Sequence, residues 1–219
     1  MRSEELPVDE SAIVPVMEQL KSETAVLHES AERSPFQRNF AAGRLSVQQY
    51  AAYLGQLEHV HRVVENGLRT LLERKPELES VIRPPQFRAA ALASDLTALG
   101  TEPAQPMLAS TAAVVAGIQS ACSGTPLAAL GYHYVLEGST NGSRYFAEKI
   151  RRTYALVEGR GAAYLDPYGA EQPAAWAEFR RAMNATSFAD PERVLLVRCA
   201  KDMFEGIRQI GDDLDAQNA

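Results

Sequence analysis

The stretch from Leu127 to about Leu156 constrains this chain more than any other. Leu127, Leu130, Tyr134, Tyr145 and Phe146 recur at helical spacing, yet the run also carries Gly131, Gly138 and Gly142. Glycine inside a helix costs about 1 kcal/mol relative to alanine. At about 100° per residue the three glycines fall in a narrow sector of one face. A bare face of that kind admits either a neighbouring helix packed very close or a large flat body laid against the backbone. The spacing alone leaves both open.

The rest of the chain reads as helix throughout, with no strand alternation. A helical pattern runs from about Asp9 to Ala31, with Ile13, Val16, Leu20, Leu27 and Ala31 apolar. Ser34-Pro35 interrupts it. A short helical turn with Phe36 and Phe40 follows and ends at Gly43. Ser46 and Gln49 form a capping box that opens a helix to about Arg74. Its inner stripe is Tyr50, Tyr53, Leu54, Leu57, His61, Val64, Leu68 and Leu71. Pro76 closes it. Pro84-Pro85 starts a helix from Gln86 to Leu99, and another spans about Met107 to Cys122. Pro126 sits at the start of the glycine-faced helix. Gly159, Gly161, Pro167 and Gly169 mark a long loop. Trp176 to Asn184 is helical, and Asp190-Pro191 caps a last helix from Glu192 to Leu214. The expectation is an all-α fold of seven or eight helices in a single domain over residues 9–214. Residues 1–8 read as a flexible arm and 215–219 as a frayed tail.

Composition narrows the partners. With 46% hydrophobic residues in 219, the chain can bury a sizeable core. No apolar run approaches the roughly 18 to 20 residues that cross a bilayer. The charged start, Met-Arg-Ser-Glu-Glu-Leu-Pro, is unlike a signal peptide, so no membrane and a cytoplasmic location are expected. A net charge of −6 argues against nucleic acid, whose binding is driven by clustered cations. Cys122 and Cys199 read as free thiols in a reducing compartment.

The four histidines carry the candidate chemistry. His28 shares one helix face with Lys21, Thr24 and Glu32. A carboxylate one turn away can accept one ring N–H and leave the other nitrogen as a basic metal ligand. The same pair is also common on helix surfaces. His61 breaks an apolar stripe and reads as a core histidine with a hydrogen-bond partner. His59 reads as a surface residue, and His133 with Glu137 as structural. Glu58-x-x-His61 has the form of half a di-iron site. No matching second pair is visible.

Three ordered motifs then carry a resemblance. Leu20 to Glu32 with Phe36 to Phe40 and Gly43, Tyr134 to Gly142, and Trp176 to Asn184 with Ala200 to Phe204 together resemble the heme oxygenase family. The second motif is similar to the bacterial, biliverdin-producing branch, which includes enzymes that serve phytochromes. The resemblance spans roughly residues 15–214. It implies a single-domain helical bundle with heme held between the first helix and a glycine-faced distal helix. His28 would be the axial ligand of the iron and Glu32 would orient its imidazole. Gly138, Ser139 and Gly142 would form the distal face. Lys21 and Arg180 would meet the propionates, and Phe40 and Phe204 would line the pocket. Lys21 precedes His28 by two turns, about 10 Å along the helix.

The implied reaction uses heme as both cofactor and substrate. O2 and electrons from a ferredoxin or flavodoxin with its reductase would convert it to biliverdin, carbon monoxide and ferrous iron. A phytochrome is an implied recipient of the bilin. Lys149, Arg151 and Arg152 are candidates for the basic patch on which an acidic electron donor would dock, and such a run is more often a solvated helix end. Ser139 stands where animal-type members carry aspartate, Asn141 where an apolar residue is expected, and Ser143 where a further glycine is common. These departures bear on rate and on the site of ring cleavage. The alternatives are a heme carrier or sensor without activity, and a di-iron oxidase.

Overall fold

The computed structural model describes residues 14–157 and 160–217. The N-terminal arm, positions 9–13, Gly159 and the last two positions of the tail lie outside the described residues. Among the described residues there are eight α-helices and no strand: α1 Val16–Glu32, α2 Pro35–Ala41, α3 Val47–Arg74, α4 Ala89–Ala98, α5 Ala109–Gly124, α6 Ala128–Thr153, α7 Gln172–Ala185 and α8 Asp190–Ala216.

Local chemistry sets most of these boundaries. α1 begins only after Pro15, whose carbonyl accepts from Glu18 and Gln19. The periodicity that predicted helix from Asp9 ran across a proline, which lacks an N–H and belongs at a helix start. Ser34 caps α2 by accepting from the Gln37 amide. The box at the head of α3 forms as read: the Gln49 amide donates to Ser46 Oγ at 3.1 Å, and the Ser46 amide donates to Gln49 Oε1 at 2.7 Å.

Other boundaries depend on contacts from afar. α4 was expected from Gln86, but Pro84–Gln86 forms a 3-10 turn. The α-helix starts where Glu65 of α3 accepts the amides of Arg88 and Ala89 at 2.6 and 2.7 Å. α7 starts four residues before Trp176 because Pro173 occupies its first turn. At α8 the capping position is Ala189, not Asp190, and Glu192 Oε2 accepts the Ala189 amide.

The three longest helices, α3, α6 and α8, pack on one another and carry the core. α1 and α2 lie on α8, α4 and α5 lie on α3, and α7 bridges α1 and α6. Leu20, Tyr50, Leu54, Leu96, Leu130, Met183, Leu196 and Met203 are among the fully enclosed side chains. Gly131 is where α6 meets α8. A β-carbon built there falls 2.6 Å from the Leu196 carbonyl oxygen and 2.7 Å from Cys199 Cβ. That glycine serves helix packing.

A buried polar layer runs beside this core. Asp95 of α4 accepts the amides of Ala163 and Tyr164 at 3.1 and 2.8 Å, and the Tyr50 hydroxyl donates to the Gly161 carbonyl. Gly161 has φ of 79°, which a side chain would strain. The irregular segment 161–165 is thereby tied to α3 and α4. His133 Nε2 lies 3.3 Å from Gln86 Oε1, and the Tyr168 hydroxyl donates to Glu137 at 2.7 Å. The Arg88 guanidinium stacks on Tyr168, 4.5 Å from the ring centre. Burial and the nearby Arg88 hold both His61 and His133 down at about 3.

Two predictions follow from this packing. Gly131→Ala overlaps backbone and is expected to destabilise the apoprotein by about 1 to 3 kcal/mol in urea. Gly142→Ala, with nothing within 4 Å of its β-carbon, is expected to stabilise it by up to about 1 kcal/mol. The histidines set an acid limb. Below about pH 6.5 the unfolded chain takes up protons that folded His61 and His133 refuse until about 3. Stability therefore falls as pH drops through that window, and His133→Gln is expected to flatten the slope by about 1.4 kcal/mol per pH unit.

Candidate functional site

A cavity of about 600 Å³ opens between α1, α2, α6 and α8, within the size range of small-molecule and cofactor sites. Its walls are mostly apolar. α1 supplies His28 and Glu32, α2 supplies Phe40, α8 supplies Phe204, and α6 supplies Gly138, Ser139 and Gly142. The structure thus brings seven of the nine residues singled out in the sequence to one space.

His28 reaches this cavity from an open position. Its side chain is 55% exposed, and Nε2 lies 3.7 Å from Glu32 Oε1, just beyond a hydrogen bond. The imidazole meets the Phe204 ring edge-on, 5.4 Å between centres. Below it in α1, Thr24 turns inward and donates to the Leu20 carbonyl. The Phe40 ring packs against Tyr50, Tyr53 and Phe146.

The α6 wall is bare for a different reason than Gly131. A β-carbon on Gly138 would touch only the Trp176 ring edge at 3.5 Å, and one on Gly142 would meet nothing within 4 Å. One glycine face therefore serves two purposes. Its first turn accepts α8, and its later turns leave cavity.

The polar side chains flanking those glycines are engaged with the protein itself. Ser139 Oγ donates to the Leu136 carbonyl at 2.8 Å, Asn141 Nδ2 to the Gly138 carbonyl at 3.0 Å, and Ser143 Oγ to the Leu165 carbonyl at 2.7 Å. Asn141 Oδ1 in turn accepts from Gln172. Asn141 and Ser143 thus fasten α6 to its surroundings while still lining the cavity.

Lys21 and Arg180 do not line the cavity. Lys21 is exposed on α1. Arg180 donates to Glu18 of α1 at 3.0 Å, and Lys201 of α8 donates to Glu23 at 2.7 Å. In the basic run after the glycines, Arg151 pairs with Asp166 and Arg152 with Glu148.

Several wall residues were not assigned to the site from the sequence. Tyr164 and Leu165 come from the irregular segment that Asp95 pins, and Trp176, Gln37 and Tyr53 complete the lining. Gln37 Nε2 donates to the Tyr53 hydroxyl at 3.0 Å. Tyr53 was read only as core, because a stripe position does not distinguish a packed ring from one bordering a void.

The remaining histidines serve the scaffold. His61 Nε2 sits 3.2 Å from the Tyr164 hydroxyl, and both side chains are buried. His59 is half-buried against the Gln105 carbonyl, where a surface position was expected. Glu58 binds Arg62 and the Ala104 amide, away from His61. No three His, Cys, Asp or Glu side chains converge to hold a metal among the described residues. The thiols are free, with Cys199 buried and Cys122 half-buried, and burial pushes Cys122 up to about 11. No helix is long and apolar enough to cross a membrane among the described residues.

Known proteins can now be set beside this geometry. A search of curated protein sequences gave no match. The heme oxygenase from Leptospira interrogans superposes with a TM-score of 0.80 at 24% identity, over 91% of this chain and 99% of that one. Heme oxygenase-1 of the cyanobacterium Synechocystis sp. PCC6803, solved in complex with heme, gives 0.82 at 21% identity over 93% and 94%. A Shewanella denitrificans domain of unknown function with a heme oxygenase-like fold gives 0.66 at 14% identity over 94% of each chain. At these identities the likeness is one of fold. The sequence model named Heme oxygenase, however, matches residues 14–213, and by that match the chain belongs to the heme oxygenase family.

Proposed function

We propose that this chain binds heme in the cavity between His28 and the Gly138–Gly142 face and cleaves it, with O2 and reducing equivalents, to biliverdin, carbon monoxide and ferrous iron. The observation that carries the reading is the shared cavity. One imidazole reaches it from α1, and α6 meets it with two glycines whose missing side chains leave space. A planar macrocycle needs such a combination: one donor nitrogen and one wall without side chains.

His28 is the residue we assign to the iron, with Glu32 orienting the ring through the nitrogen not used for binding. Phe40 and Phe204 contribute apolar contact. Arg180 and Lys21 are assigned to the propionates. Arg180 has first to leave Glu18, and an exposed pair of this kind is worth about 0 to 1 kcal/mol, so the exchange is easy. When bound, heme supplies the iron at which O2 is reduced and the porphyrin carbon that is oxidised.

The polar side chains that α6 presents to the cavity, Ser139, Asn141 and Ser143, offer no acid or base. Ser139, Asn141 and Ser143 all donate to carbonyls, so a proton reaches the cavity through ordered water. The electron donor in this reading is a ferredoxin or flavodoxin with its reductase, a phytochrome receives the bilin, and the setting is cytoplasmic.

Hemin titration tests the assignment. Wild-type protein is expected to give an imidazole-ligated ferric spectrum, and His28→Ala to lose it while retaining its fold by circular dichroism. An unchanged spectrum in His28→Ala overturns the ligand. Gly142→Leu is expected to weaken hemin binding about tenfold or more, at least 1.4 kcal/mol, without loss of thermal stability. With ascorbate or ferredoxin and its reductase, the Soret band of the wild type is expected to disappear as bilin absorption grows. A Soret band that persists identifies a carrier.

A further inference from the structure

Tyr164 and His61 are the buried pair that the heme reading leaves unused. Tyr164 lines the cavity, and its amide is fixed by Asp95. Its oxygen is 3.2 Å from His61 Nε2, and the rings meet edge-on at 5.3 Å. The hydroxyl has one proton, and the direction in which it points decides what the cavity wall offers.

The groups around His61 decide that direction. Glu65 Oε1 lies 3.9 Å from His61 Nδ1 and already accepts two backbone amides, Arg88 and Ala89. A carboxylate facing Nδ1 draws the ring proton to that nitrogen and leaves Nε2 bare. Burial, Arg88 and His133 keep the ring from taking a second proton. A bare Nε2 accepts, so the Tyr164 proton points inward.

We propose that His61 is a positioning residue: it takes the Tyr164 proton on Nε2 and turns the phenol so that its oxygen faces the cavity as a hydrogen-bond acceptor. The Ser139 and Ser143 hydroxyls have likewise committed their protons to carbonyls, and Asn141 Nδ2 gives one of its two to Gly138. On this side the hydroxyls of Tyr164, Ser139 and Ser143 receive hydrogen bonds from a water or ligand and give none. The assignment rests on the reading of the cavity as a heme site, and deepens it.

The test has one arm without heme and one with it. In the apoprotein, long-range ¹⁵N–¹H correlation is expected to show His61 protonated on Nδ1 and bare on Nε2. Its Nε2 resonance is expected to move in Tyr164→Phe. A ring protonated on Nε2 overturns the proposal, whether or not the protein binds heme. In the ferrous carbonyl complex, His61→Leu frees the phenol proton to turn toward the cavity. A donated hydrogen bond weakens the C–O bond, so the C–O stretch is expected to fall in His61→Leu. It is expected to return in His61→Leu/Tyr164→Phe and to stay near wild type in His61→Gln, whose amide oxygen can accept. Equal stretches in wild type and His61→Leu overturn the proposal. If His61→Leu does not fold, a fall in His61→Gln does so instead. Failure of wild-type protein to form any Soret band sinks the heme reading and leaves the imidazole tautomer to be decided by the first arm.

Discussion

The close approach of α6 to α8 at Gly131 is the constraint on which the rest depends. There is no room there for even a methyl group beside the Leu196 carbonyl, so the α6 backbone lies directly against α8. That contact fixes the direction in which both leave the core. Farther along, α8 delivers Phe204 and α6 delivers Gly138 and Gly142 to one cavity. The helix is thus anchored by an absent side chain at one end and opened by absent side chains at the other.

Local signals and long-range contacts divided the labour of specifying this fold, and the sequence revealed the first far better than the second. Ser46 with Gln49 set the head of α3 as read, because that box is complete within four residues. The head of α4 was misplaced because its cap is Glu65, 24 positions upstream of Ala89. α1 was extended too far because apolar periodicity outweighed Pro15. In the site, His28 was legible from its spacing to Glu32 and from the motif around it. Tyr164 was not, because no periodicity marks an irregular segment and its anchor, Asp95, lies 69 residues away. The glycine face was legible as a face. Its division between a packing contact and a void was not, because that depends on α8.

The buried polar layer explains how a cavity wall can be made of loop. Asp95, Glu65 and Glu137 accept from amides or hydroxyls that would otherwise be buried bare, and Tyr50 donates to the buried Gly161 carbonyl. Buried polar groups without partners are costly, so Asp95, Tyr50 and Glu137 fix the path of residues 161–168, and Glu65 fixes the head of α4. Burial raises the carboxyls of Asp95 and Glu137 above the usual range, with donated hydrogen bonds opposing the rise. The layer is thus electrostatically expensive, and the order it imposes on the wall is what it returns.

That order makes the cavity asymmetric. Tyr164 and Leu165 are buried and bonded on several sides, whereas His28 and Glu32 stand more than half open. The enclosure resembles a vise with one fixed jaw. A guest there would meet ordered side chains on the α6 side, with little conformational entropy left to lose, and open ones on the α1 side. The freedom to adjust to a guest therefore lies at the rim and not on the floor.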